Sequence, residues 1–185
     1  IRICLVGSEM CIRDSDYPIS LDKLNIKNIV DSALEELKPM TNKSSITLVN
    51  NLDQCTNIIG DESAMKIIIS NYINNAIKHS PKKSSVVIDC EKVDKDFCRI
   101  MVKDNGSGIA KKYRERVFER FFRVDKGRSK KVGGTGLGLS ISKNLALMMG
   151  YNVGVDSNTP KGSIFYIDVK TCLLYTSPSP RDRYG

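Results

Sequence analysis

A two-layer α+β sandwich is the fold class this sequence predicts, and three observations carry it. Helix-period apolar stripes recur around 26–37, 62–79 and 139–149. Runs rich in β-branched residues fall at 86–93, 97–103 and 164–169. Their order, helices interspersed with strands close enough to pair as hairpins, suits a mixed, mostly antiparallel sheet under about three helices.

Each element has a local cause. Ile26, Ile29, Val30, Ala33, Leu34 and Leu37 share one helical face, and Pro39 is expected to kink or end that helix. Residues 46–50 alternate like a strand, and Gly60 is expected to close the loop after it. A second helix over 62–79 runs until Pro81 stops it. Val86–Val93 and Phe97–Lys103 form a predicted hairpin. A third helix spans Leu139–Met149 with Gly150 as its cap. Val153–Val155 and Ile164–Val169 close the chain as a hairpin around Asn158–Gly162.

At 185 residues the chain fits one domain, or one domain with tails. Residues 1–15 and 172–185 lack the periodicity of the middle and resemble translated sequencing-adaptor DNA, so the predicted domain is 16–171. No apolar run approaches the roughly 20 residues a membrane-spanning helix needs. The opening stretch, broken by Arg2, Ser8 and Glu9, is a poor signal peptide. Six cysteines without a CxxC pair, beside one histidine, do not make a zinc site and suit reduced, packed thiols in a cytosolic domain.

The net charge of +8 is local. Residues 111–131 carry ten Lys/Arg against three acidic residues, a net +7, which invites an anion. Three flanking segments indicate which. On the helix 67–79, Asn71, Asn75 and Lys78 fall within an arc of about 60° at about 100° per residue. A carboxamide oxygen is a good hard-metal ligand and an ammonium meets phosphate, although such a stripe alone is the ordinary solvated face of a helix. The strand 97–103 runs into Asp104-Asn105-Gly106-Ser107-Gly108, where a carboxylate could accept from an exocyclic amine such as that of adenine. Taken alone, that pentapeptide fits a surface turn equally well. Then Gly133-Gly134-Thr135-Gly136-Leu137-Gly138-Leu139 leads into a helix, as a phosphate cradle or a flexible hinge would. It is neither a P-loop nor a dinucleotide fingerprint.

Taken together, the ordered segments resemble the catalytic, ATP-binding domain of bacterial sensor histidine kinases, of the GHKL (HATPase_c) superfamily with its Bergerat-type fold. Asn71–Ser80 is similar to the N box, Asp104–Ile109 to the G1 box, Phe118–Arg123 to the F box and Gly134–Leu139 to the G2 box. Lys161–Phe165 is a weaker last box.

The resemblance implies ATP and Mg²⁺ as ligands. It implies that Asn75 ligates the metal, that Asn71 and Lys78 contact phosphates, and that Asp104 binds the adenine amine between Gly106 and Gly108. It further implies a mobile lid over 124–133 whose Lys126 and Arg128 reach the γ-phosphate, with Gly134, Gly136 and Gly138 cradling the phosphates. Ile109, Thr135, Leu137, Leu139 and Ser163 are counted with the nucleotide-binding residues, while Phe118, Phe121 and Phe122 are assigned to packing. Asn71, Lys78 and Arg128 are the residues implied to bear on phosphoryl transfer. Two positions depart from the pattern. Asn71 stands where hydrolysing relatives such as gyrase and MutL carry glutamate, so efficient hydrolysis is disfavoured. His79 stands where tyrosine is frequent, and either flanks the ribose or caps its helix.

No phosphoacceptor motif occurs in the chain. The expected partner is therefore a separate dimerisation and phosphoacceptor domain of the same kinase, with residues 16–25 as the end of the linker to it, and a response regulator in the intact system. The fragment is expected to be cytoplasmic and to touch neither membrane nor nucleic acid, with the intact kinase membrane-anchored. An ATP-binding regulatory module without phosphotransfer is the first alternative; a nucleic-acid binder using 111–131 is the other.

Overall fold

The computed structural model describes residues 18–52, 57–124 and 135–172. Among the described residues there are two sheets and three α-helices, with two short 3₁₀ turns at Lys111–Tyr113 and Arg116–Phe118. Strand β1 (Asp22–Asn25) leads into helix α1 (Ile26–Ser44), followed by β2 (Thr47–Asn51) and β3 (Asn57–Gly60). Helix α2 (Glu62–His79) precedes the hairpin β4 (Ser85–Lys92) and β5 (Phe97–Lys103). Helix α3 (Gly138–Met148) precedes β6 (Asn152–Ser157) and β7 (Ser163–Lys170).

The main sheet runs β2-β4-β5-β7-β6, with β2 parallel to β4 and every other pair antiparallel. Helices cover one face of it, as predicted. Alternate residues of the strands, among them Val86, Ile88, Cys98, Ile100, Val102, Phe165, Ile167 and Val169, meet Ile26, Val30, Ala33, Met65, Ile68, Ile69, Tyr72 and Ile73 from α1 and α2 in one core. Tyr72 is fully buried, its ring 5.6 Å from that of Phe165. Burial holds its phenol far above the ordinary range, so it stays neutral.

Capping fixes the helix starts. Asn25 accepts from the amides of Lys27 and Asn28, and Asp61 from that of Ala64 at 2.9 Å. Lys78 and His79 sit in the last turn of α2, where the helix dipole favours cations. Helix α3 ends at Met148, and Gly150 follows with φ +78°, a left-handed position that suits glycine.

Two features differ from the sequence expectation and one narrows it. Pro39 does not end α1, which continues to Ser44. The turns beyond it are secured by buried Thr41, whose hydroxyl donates to the Lys38 carbonyl at 2.9 Å and whose own carbonyl accepts from Ser45 and Ile46. Gly60 ends a strand rather than a loop, and residues 22–25 of the expected linker form β1, which pairs antiparallel with β3. Four-residue strands such as DKLN and NIIG carry too little alternation to be read locally. They form because each has the other as partner.

Candidate functional site

Four elements converge on a cavity of about 530 Å³, within the roughly 300–1,000 Å³ typical of small-molecule sites. One wall is the C-terminal half of α2, another is the turn after β5, a third is the start of α3, and the floor comes from the start of β7.

Asp104 leaves β5 into that cavity and is 2% exposed. Its Oδ1 accepts from the amides of Gly106 at 2.8 Å and Ser163 at 3.1 Å. Both amide bonds land on one oxygen, so Oδ2 is the one that the backbone does not use. Burial raises the carboxyl's pKa, and the two amides, with the Ser163 hydroxyl and nearby His79, oppose that rise. A buried carboxylate with one oxygen that no backbone amide claims fits a ligand that brings its own donor, as an exocyclic amine does.

The turn around it is built for close approach. A Cβ at Gly106 would lie 2.6 Å from the His79 carbonyl oxygen, so the turn packs on the end of α2. Gly108 has φ +77° and would bring a Cβ within 3.1 Å of the Gly162 carbonyl. Asn105 anchors the turn to β4 by donating to the Ser85 carbonyl at 2.8 Å.

Asn71, Asn75 and Lys78 line the cavity together, as their helical spacing requires. The Asn71 carboxamide donates to the Gly138 carbonyl at 3.0 Å and to the Ser142 hydroxyl at 3.1 Å, which ties α2 to the first turn of α3. Asn75 has no side-chain hydrogen bond to another described residue, so its oxygen is available to a hard cation. Lys78 and His79 are exposed at the rim.

Thr135, Gly136, Gly138 and Leu139 also line the cavity, with Ile109, Gly108 and Ser163. Gly136, at φ +71°, packs on the Phe121 backbone, where a Cβ would stand 3.0 Å from Cα. Gly106 and Leu137 are not among the lining residues: Gly106 serves through its amide to Asp104, and Leu137 accepts from Ile141 and Ser140 at the head of α3. Lys126, Arg128 and Gly134 lie outside the described residues.

Asn74, Ser107, Phe122, Arg123, Val124 and Phe165, which fall within the named boxes or the expected lid but are given no nucleotide-binding role, also line the cavity, as does Val117, which lies outside all of them. Asn74 was within reach, one residue from Asn75 on the same helix. Val117 has no local signal, because tertiary packing alone brings it there. The three phenylalanines assigned to packing behave differently. Phe118 is buried edge-on to Phe165 and Phe122 tilts against Tyr113, whereas Phe121 is 68% exposed at φ +62°. Several cations of the basic stretch are already engaged: Arg114 on Asp156 at 3.1 Å, Arg116 over the Phe122 ring and Lys112 over that of Tyr113.

Comparison with known proteins agrees with this geometry. Residues 60–172 match the family described as histidine kinase-, DNA gyrase B- and HSP90-like ATPases. The sensor-like histidine kinase SenX3 of Mycolicibacterium smegmatis is 38% identical over 149 residues, covering 80% of this chain and 38% of its own length. The sensor histidine kinase WalK of Bacillus subtilis is 34% identical, covering 80% of this chain and 24% of its own. The chain thus spans well under half of the curated relatives it matches. Among solved structures, the mycobacterial sensor histidine kinase MprB superposes with a TM-score of 0.71 at 27% identity, over 82% of this chain and 98% of that one. Full-length ShkA in complex with AMPPNP gives 0.73 at 27% identity, over 87% of this chain and 34% of that one. With its asparagine helix, buried Asp104 and glycine-rich helix start around one cavity, the chain belongs to the histidine kinase-, DNA gyrase B- and HSP90-like ATPase family.

Proposed function

We propose that this chain binds Mg-ATP in the cavity and donates the γ-phosphoryl group to a histidine on a separate phosphoacceptor domain of the same kinase. The observation that carries the reading is buried Asp104, one oxygen fixed by two amides and the other unclaimed by the backbone, at the foot of a cavity whose far wall is Asn71, Asn75 and Lys78.

In this reading Asp104 accepts from the adenine amine and selects the base. Asn75 would hold Mg²⁺, which supplies charge neutralisation of the phosphate oxygens. Lys78 at the rim adds positive charge, and the amides of the Thr135–Leu139 stretch face the anion at a helix start. Asn71 acts as a strut: its NH₂ is occupied by Gly138 and Ser142. A carboxamide takes no proton at neutral pH, so this position does not activate water, and transfer to an outside nucleophile is favoured over hydrolysis. Lys126 and Arg128 remain proposed γ-phosphate contacts. No described helix is long and apolar enough to cross a membrane; we place this domain on the cytoplasmic side, upstream of a response regulator.

Calorimetric titration of the chain with ATP, with and without Mg²⁺, alongside Asn75→Ala, tests the reading. Saturable binding that Mg²⁺ strengthens in the wild type but not in Asn75→Ala is expected. No saturable heat from a folded chain overturns it. Transfer is then read by mixing the chain with a phosphoacceptor domain and γ-labelled ATP. Acid-labile label on the acceptor is the expected result, and its absence with binding intact leaves a nucleotide-binding regulatory module.

A further inference from the structure

The loop between β6 and β7 grips the base-binding turn more closely than a connecting hairpin needs to. The Asp104 amide donates to the Ser163 carbonyl at 2.9 Å, and the Ser163 amide returns to Asp104 Oδ1. The Asp104 carbonyl is held by a side chain: Asn158 Nδ2 donates to it at 2.8 Å, across 54 residues of sequence. Beside that bond, a Cβ at Gly162 would stand 1.9 Å from the same carbonyl oxygen, and Gly162 holds φ +124°. The amide, the carbonyl and Oδ1 of Asp104 are therefore all held from within the fold.

Asn158 is itself oriented. Its amide donates to the Gly162 carbonyl at 3.0 Å, and its Oδ1 accepts from the Thr159 amide at 2.9 Å. With Oδ1 committed to an N–H, the NH₂ is the end that faces Asp104, and it meets an acceptor there. The carboxamide is correctly matched at both ends, and only a side chain with a donor and an acceptor on one carbon can span the gap.

We infer that Asn158 is a positioning residue for nucleobase selection: by holding the Asp104 peptide it sets where Oδ2 stands in the cavity. The inference rests on the proposed reading of Asp104 as the acceptor for the adenine amine. Asn158 lines no part of the cavity and needs no contact with nucleotide. Its effect belongs to the discrimination between bases. Loss of the bond lets the turn shift, and the carboxylate then loses its alignment with the amine while the phosphate-binding side of the cavity is unchanged.

The test measures dissociation constants of ATP and of purine riboside triphosphate, which lacks the 6-amino group, for the chain and for Asn158→Ala and Asn158→Asp. Asn158→Asp keeps the shape but turns an acceptor toward the Asp104 carbonyl. In the wild type, ATP is expected to bind about tenfold or more tightly than the analogue, the value of a hydrogen bond to a charged acceptor. In both variants that ratio is expected to fall by about threefold or more, as ATP weakens and the analogue holds. A general loss of structure would weaken both ligands together and leave the ratio unchanged, and that result overturns the inference; thermal melts of the two variants identify it. A high wild-type ratio retained in both variants overturns the role of Asn158 alone. A wild-type ratio near one removes the adenine reading of Asp104, and this inference with it.

Discussion

Asp104 illustrates how one residue can serve function against stability. The fold removes its carboxylate from water, the backbone returns hydrogen bonds to one oxygen only, and burial raises its pKa. A carboxyl whose folded pKa exceeds its unfolded one stabilises the fold fully below the unfolded value and loses that contribution as pH rises through the folded one. At neutral pH the free protein therefore carries a cost here. Asp104→Asn removes it: the oxygen stays with the amides of Gly106 and Ser163, and an NH₂ takes the place of Oδ2. Melts between about pH 4 and 8 are expected to show the nucleotide-free variant at least as stable as wild type near neutrality, without the wild type's decline over the intervening range. ATP binding should fall about a hundredfold or more, since a donor then faces the adenine amine. A variant that melts lower at neutral pH while still binding ATP would contradict both halves. The chemistry of this residue was legible in the sequence as an aspartate ahead of two glycines. Its grip by Asn158 and Gly162 was not, because those contacts join segments more than fifty residues apart.

At the scale of elements, legibility followed length. Helix α2 and the β4–β5 hairpin are long enough for their own periodicity to declare them, and the hairpin is closed locally by Asp94, whose carboxylate accepts from the amides of Asp96 and Phe97. The β1–β3 pair has no such signal, and α1 contains one, Pro39, that left its end open. Pro39 lacks the amide that would bond to the carbonyl four residues earlier, yet the helix runs on because Thr41 is buried and its carbonyl caps the turn. The helix persists against a local penalty, so that penalty should be recoverable. Pro39 is exposed, and Pro39→Ala restores the missing donor without touching the core. The gain is expected to approach about 3 kcal/mol at most, read as a higher denaturation midpoint at unchanged slope. An unchanged or lower midpoint would mean that the proline costs the helix nothing at this position.

At the scale of the molecule, a two-layer design leaves one face of the main sheet without helices among the described residues, and ion pairs lie across that face. Arg99 makes a bidentate contact with Asp168 while lying 3.8 Å over the Tyr166 ring, and Lys103 reaches Asp89 at 2.8 Å. Such pairs add little stability each, but they set charged groups beside Val87, Met101 and Ile164 and so break up the apolar surface of this face. The cavity instead opens at the sheet's end, where turns and helix termini gather. The net charge of +8 allows two kinds of anion, one held in that cavity and one spread over the basic stretch, and salt separates them. A polyanion held by surface lysines and arginines releases counterions and weakens steeply with ionic strength. A nucleotide recognised by buried Asp104 keeps its base contacts when surface charge is screened. With Mg-ATP at a hundred times its dissociation constant, linkage gives about 2.7 kcal/mol, which for a domain of this size raises the melting temperature by roughly 5–10 °C. That shift is expected to persist largely at about 0.5 M salt, where surface charges are screened over a few ångströms, and to be absent in Asp104→Asn. Duplex DNA should give no comparable shift. A DNA-induced shift that high salt abolishes, with none from Mg-ATP, would transfer the function from the cavity to the basic stretch.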